Sequence, residues 1–459
     1  MDDITSSIRN ALRPRPPSWH RRAKGLQAGD DLVGAIHAWR RAHASGDEDL
    51  EHMADKGLAS LFVHLGRSAD AAPHLRALAL KDPEDPSPWR ELGRCYKLMG
   101  RVREEAEAWR ALLGLLPDDP EALRRLAAPG LNAYEAPRRA TAPPATVAEG
   151  LAEGARLQAA GDLEGAAAIY RAMQPGLRQH IWRRRPEGFV ARGPDFLIIG
   201  PSRTGTSWLV RALARHPQAF ILSGEPHYFS AWADQPPQAY VDRFAAPEAR
   251  FASKPESAWP LVGERAVLGE KSPLYLTMAD DRIELCAALY PKARLICLVR
   301  DPIERAWSHI KQLGLETRAE DLDHLKSGRA PLRLAELLEE GRYEDHLKRW
   351  SRFFSSERIH LIDHARIADD PNGVYDETVA FLGLEPMRPR KMRAPEVRVG
   401  TSERPPETLL RYLEASYAGE TFDLDALRRA MVKAHKAAKS DAVASRSQLQ
   451  PGLDGLRQA

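Results

Sequence analysis

At 459 residues, with 43% hydrophobic and 29% charged side chains, the chain carries enough apolar material for two or three globular domains. A formal net charge of only +3 is too balanced to argue for nucleic-acid binding, and no apolar run reaches bilayer length, so no membrane span is expected. Cys95, Cys286 and Cys297 stand far apart in apolar contexts without zinc spacing, and the N-terminus lacks a basic, apolar leader; buried reduced thiols and a cytoplasmic location are expected.

Residues 1–127 read as helical and repetitive. Trp89-Arg-Glu-Leu92-Gly93-Arg-Cys-Tyr96, followed by Gly100, Trp109 and Pro117, resembles the tetratricopeptide pattern, and Gly66 and Pro83 precede Gly100 and Pro117 by the same 34-residue interval. Leu26 to Arg40 and Leu157 to Arg171 are weaker copies on either side. Glu105 and Leu112 occupy places where such repeats pack alanine, so irregular helix pairs are expected. An array of this kind offers a concave docking surface for a partner protein or a large acceptor; the alternative is a buttress for the domain that follows.

Residues 128–148 are rich in Pro and Ala and read as a linker, and residues 149–188 as a further repeat-like helix pair with a basic connector. From 189 to 436 strands and helices alternate: Phe196 to Ile199, Thr206 to Arg215, Arg294 to Val299, Pro302 to Leu313, Arg342 to Phe354 and Ile359 to Ile362. The expected fold class is therefore α/β, a P-loop-like parallel sheet flanked by helices, preceded by an all-α repeat array. Glu316 to Glu340 is a polar, helix-forming insertion expected as a wall or lid on the acceptor side. Arg388, Arg390, Lys391, Arg393 and Arg398 crowd a Pro-rich segment and read as a solvated face. Residues 437–459 form a polar tail.

The most informative stretch runs from Asp195 to Trp208. An apolar strand enters Gly200-Pro-Ser-Arg-Thr-Gly205-Thr-Ser207 and then an amphipathic helix, so the backbone N–H groups of Thr204, Gly205, Thr206 and Ser207 and the positive helix end can converge on an anion. The lysine of a nucleotide triphosphatase is missing, and Arg203 is the loop's cation; a nucleotide phosphate without Mg-NTP chemistry is expected. A second strand ends in Arg300, with Asp301, Pro302 and Glu304 supplying an N-cap, a first-turn proline and a capping box. Arg300 at a strand's carboxyl end and Ser308 two turns into the next helix suit a second, separate phosphate.

On these motifs the chain resembles the sulfotransferase superfamily. The likeness extends through Gly269-Glu-Lys-Ser-Pro-Leu-Tyr275, Gly341-Arg-Tyr343, Leu347-Lys-Arg-Trp350 and Phe381-Leu-Gly-Leu384, and covers about Phe189 to Leu424. It implies 3′-phosphoadenosine 5′-phosphosulfate as donor, held by Arg203, Thr204, Gly205, Thr206, Ser207, Arg300 and Ser308, with no metal. Phe220-Ile-Leu-Ser-Gly-Glu225-Pro-His-Tyr-Phe229 resembles the element of heparan-type and bacterial carbohydrate sulfotransferases in which the glutamate is the base. That implies Glu225 and Arg203 as catalytic residues, His227 and Lys271 on the substrate side, and a hydroxyl-bearing, glycan-type acceptor. Arginine in the loop is also similar to the protein-tyrosine branch, so a tyrosine or small phenol is the enzymatic alternative. A non-catalytic nucleotide-binding scaffold is the alternative of another class.

Overall fold

The structure is a computed structural model, and it describes residues 19–29, 31–128, 131, 144–174, 176–181, 183–184, 190–245, 267–313, 332–387 and 404–455. The chain forms two compact units. One comprises Met1–Leu126, Thr317–Glu339 and Arg404–Ala418, the other Ala127–Glu316, Glu340–Glu403 and Gly419–Ala459.

Among its described residues the first unit is all-helical: α1 Trp19–Ala28, α2 Leu32–His43, α3 Glu48–His64, α4 Ser68–Lys81, α5 Pro86–Leu98, α6 Val102–Leu115 and α7 Pro120–Leu126. Aspartates start several of them, because a short carboxylate accepts from the first free N–H groups: Asp31 from Gly34, Asp47 from Leu50, Asp85 from Ser87 and Asp119 from Ala122. Trp39, Leu58, Phe62, Leu75 and Trp109 fill the interior. Gly93 admits Trp109 because a Cβ there would lie 2.4 Å from the indole. Glu105, anomalous in sequence, is buried but matched, accepting from Trp109 Nε1 at 3.1 Å and Arg125 Nε at 2.8 Å. Two short helices from later in the chain complete this unit, Leu332–Glu339 and Glu407–Ser416. Tyr417 Oη donates to Leu338 O, Tyr412 Oη to His64 O and Arg67 to Ala415 O. The polar insertion thus contributes a helix here, while its stretch 314–331 lies outside the described residues, as do the five basic residues from Arg388 to Arg398.

The second unit is built on a five-stranded parallel sheet of β1 Phe196–Gly200, β2 Ala219–Ile221, β3 Val267–Lys271, β4 Arg294–Val299 and β5 Ile359–Asp363, in the order β2-β3-β1-β4-β5. The central β1 is an unbroken apolar run because it is covered on both faces. Phe196 pairs with Gly269 on one side and Arg294 on the other, and the β1–β4 register slips between Ile198 and Gly200. Parallel strands send all carboxyl ends to one edge, and the chain runs to opposite sides of β1, which opens a crevice beyond Gly200. Helices α8 Val147–Ala159 and α9 Leu163–Ala172, repeat-like in sequence, pack into this unit's own core, where Leu163, Ala167 and Tyr170 share a cluster with Leu197, Phe229 and Leu285. Buried Gln158 of α8 ties them down, accepting from Tyr170 Oη and donating to Ala233 O and Gln235 O. Among the described residues, no helix is long and apolar enough to cross a membrane.

Candidate active site

At the end of β1 the backbone does what few residues tolerate. Gly200 has φ +108°, and a Cβ there would sit 2.3 Å from Pro273 O; Gly205, at φ +94°, faces Ile367 Cδ1 at 2.6 Å by the same measure. Only glycine is unstrained at both points. Arg203 between them also adopts positive φ, +70°, a conformation uncommon for a residue with a Cβ. Thr204 is buried and spends its hydroxyl on Pro201 O at 2.7 Å, which fixes the loop. Thr206 and Ser207 then open α10, Thr206–Leu213.

The second motif meets this loop. β4 runs into α11, Pro302–Gln312, where Asp301 caps the N–H of Glu304 at 2.9 Å. The expected capping box is only half formed, since the Glu304 carboxylate turns to the Arg300 guanidinium at 3.3 Å. Arg203 Nε donates to Ser308 Oγ at 3.0 Å, and Arg300 donates to Arg203 O at 3.2 Å. Tyr343 Oη donates to Arg300 O at 2.9 Å, which fixes the backbone at the strand end. Arg203 is pushed below its ordinary range, by burial first and by the Arg300 charge second. Two guanidinium groups held this close favour an anion between them.

Histidines around the loop are kept neutral. His309 on α11 is pushed down to about 4 by burial and by Arg305 and Arg203, and His364, just after β5, to about 4 by burial and Arg300. Arg305, wholly buried, is answered by Glu340 at 3.0 Å.

The residues expected on the acceptor side come from β3 and the segment after β2. Lys271 Nζ donates to Glu225 Oε1 at 2.6 Å, and His227 Nε2 lies 3.2 Å from Glu225 Oε2. His227 meets Glu225 from the left-handed region, φ +53°, at the start of a one-turn helix. Its own N–H donates to Ser272 Oγ at 3.1 Å.

Glu270 and Lys271 do not pair with each other. Alternation along β3 sends Lys271 toward Glu225 and Glu270 into the core, fully buried. There Glu270 accepts from Tyr240 Oη at 2.5 Å, Tyr275 Oη at 2.8 Å and Ser272 Oγ at 2.7 Å, and burial still raises its pKa. The chain Glu270–Ser272–His227 N–H thus links a buried carboxylate to the Glu225 loop. Tyr240, Ser272 and His364 escaped sequence reasoning; only the β3 alternation offered a signal, and it pointed to Glu270.

The structure therefore assembles the expected residues in two groups: Arg203, Arg300 and Ser308 with the loop, and Glu225, His227 and Lys271 beside β3. A "Sulfotransferase family" model matches residues 194–389, the segment that holds both groups. Over this segment the chain is similar to the sulfotransferase family. Human bifunctional heparan sulfate N-deacetylase/N-sulfotransferase 3 is 30% identical to it over 233 residues, 45% of this chain and 24% of that protein. Human heparan sulfate glucosamine 3-O-sulfotransferase 6 is 29% identical over 203 residues, 42% of this chain and 53% of that protein. The chain thus spans between a quarter and about half of these relatives. A solved sulfotransferase from Alicyclobacillus acidocaldarius is 25% identical, with 51% of this chain and 98% of that one covered and a TM-score of 0.34. Chemically, the loop group presents cations and backbone amides suited to an anion, and the β3 group presents a carboxylate able to take up a proton.

Proposed function

We propose that the protein transfers a sulfuryl group from 3′-phosphoadenosine 5′-phosphosulfate to a hydroxyl of a carbohydrate or glycoconjugate. The observation that carries this reading is the Arg203–Ser308–Arg300 junction, two cations and a hydroxyl joined across two strand ends. Arg203 and the loop amides take the 5′-phosphosulfate, and Arg300 with Ser308 the 3′-phosphate. The acceptor oxygen attacks sulfur in line, a new S–O bond forms as the bond to the 5′-phosphate breaks, and the acceptor proton passes to Glu225. Charge growing on the departing phosphate meets Arg203, the electrostatic logic of phosphoryl transfer. Lys271, paired with Glu225 at 2.6 Å, is assigned to the substrate side, beside the transferring sulfuryl group. The heparan sulfate named for both relatives supports a sugar acceptor.

We read the first unit as a tetratricopeptide-like array that docks a large acceptor or a partner protein. Buried, unpaired Cys95, Cys286 and Cys297 support work in a reducing, cytoplasmic setting.

Labelled donor offered with polysaccharides bearing free hydroxyls or free amines, lipid-linked sugars and tyrosine peptides tests the reading. Label on a sugar oxygen is expected. Turnover only on tyrosine would move the acceptor to the alternative branch, and no turnover with tight donor binding would leave a nucleotide-binding scaffold.

A further inference from the structure

The first unit brings together three residues far apart in sequence that the sulfotransferase reading does not use. His43 closes α2, Asp55 lies mid-way along α3, and His74 is on α4. Asp55 is 7% exposed, and one of its oxygens receives both imidazoles: His74 Nδ1 at 2.7 Å and His43 Nε2 at 3.2 Å. One helical turn before Asp55, Glu51 places a carboxylate oxygen 3.8 Å from the same His43 nitrogen. The donor atoms of His43, Asp55 and His74 all lie within 4.8 Å of one another.

We propose that His43, Asp55 and His74 form a structural zinc(II) site, with Glu51 as the fourth ligand. A tetrahedral ion with bonds of about 2.0–2.1 Å needs donors about 3.3 Å apart, so the 3.2 Å edge already fits and the 2.7 Å edge needs a small opening. Two imidazoles with two carboxylates suit a borderline ion such as zinc and disfavour calcium or magnesium, which take oxygen alone. The rings are also oriented before any ion arrives. His74 stacks on Phe62, with centroids 5.9 Å apart, and stands edge-on to His43 at 5.4 Å. Arg40 and Arg67 both pair with Asp70, at 3.9 and 2.7 Å. An ion here would clip α2 to α3 and α4, joining successive helix pairs, so its binding energy would add to the unit's folding energy.

The competing account is a carboxylate hydrogen-bonded by two imidazoles, and the variants are chosen to separate the two. Glutamine can still donate to Asp55 but is a poor zinc ligand. Full-length protein freed of metal by a chelator, and then of the chelator, is titrated with Zn2+ by calorimetry and with Co2+ by visible absorption. One equivalent of zinc, strong bands of four-coordinate cobalt and a raised melting temperature are expected. His43→Gln and His74→Gln should each weaken zinc by at least about a hundredfold and abolish the cobalt bands, with the metal-free melting temperature little changed. Absence of binding at tens of micromolar zinc, or unchanged binding in the double variant, would overturn the site. Should the variants not fold, X-ray absorption on the wild type decides: imidazole scattering with a nitrogen/oxygen shell near 2.0–2.1 Å supports it, and sulfur or all-oxygen ligation overturns it.

Discussion

Glu225→Gln separates proton transfer from donor binding and from folding. The side chain is 38% exposed and pairs with Lys271 at 2.6 Å, a geometry in which an ion pair is worth about 0–1 kcal/mol to stability. Glutamine keeps the shape and can still accept from Lys271, so the folded state should lose less than that. Removal of a general base slows turnover by about a hundred- to ten-thousand-fold, or about 2.7–5.4 kcal/mol of barrier. The catalytic effect therefore exceeds the largest stability effect at least twofold, and the two are distinguishable in one preparation. Arg203, Ser308 and Arg300 sit on other elements, so affinity for the 3′,5′-bisphosphate product should remain within about twofold. The assay is steady-state turnover with labelled donor, calorimetry with the product, and a denaturant curve on the same sample. Near-normal turnover with intact folding would refute the role of Glu225, and His227, 3.2 Å away, would be the next residue to test.

Arg300→Ala should weaken the 3′,5′-bisphosphate by about 1.5–3 kcal/mol, roughly ten- to a hundred-fold, and leave AMP almost unaffected; equal losses for both in calorimetry would remove the 3′-phosphate assignment. Gly205→Ala should cost at least about 1–2 kcal/mol from positive φ alone, plus the contact with Ile367 Cδ1, and adding Ile367→Val should return the steric part and not the backbone part. If the double variant is no more stable in urea than the single one, that contact is not limiting. Stability should also climb as pH rises from 4 toward 6.5. Burial pushes His309, His360 and His364 down to about 4, so below their ordinary value of 6.5 the unfolded chain takes up protons that the folded chain refuses. Asp281, raised by burial to about 6, acts in the opposite sense and loses its contribution as pH climbs from about 4 to 6, which makes the rise shallower. His364→Gln should flatten the slope of the urea midpoint against pH, and a wild-type midpoint that falls over this range would contradict the argument.

The parts legible in the sequence are those whose causes are local. Gly200 and Gly205 declare their backbone by lacking a Cβ, Asp301 declares a helix start, and the apolar runs of β1 and β4 declare strands buried on both faces, so the glycine-bounded loop and its partner helix could be placed before any contact was known. The capping box failed at the one residue with a competing partner, since Glu304 had a choice between a backbone N–H and the Arg300 guanidinium, and charge won. Glu270 and Lys271 are adjacent in sequence, yet strand alternation gave one to Tyr240, Tyr275 and Ser272 in the core and the other to Glu225 at the surface.

Sorting among units was the least legible property. The α8–α9 pair carries the same aspartate cap as the α1–α2 pair, Asp162 on Gly165 and Asp31 on Gly34, so local chemistry cannot tell them apart. What separates them is Gln158, whose buried amide finds Ala233 O and Gln235 O more than seventy residues away in the α/β unit. The helix Glu407–Ser416 makes the converse journey, late in the chain yet bonded through Tyr412 to His64. In both cases one buried polar group needs partners that only a distant segment supplies, and leaving it unpaired would cost about 1–3 kcal/mol. The same reasoning makes His43, Asp55 and His74 invisible to spacing rules: three helices must pack before the cluster exists, so a motif search finds nothing where the folded unit brings three donor atoms within 4.8 Å of one another.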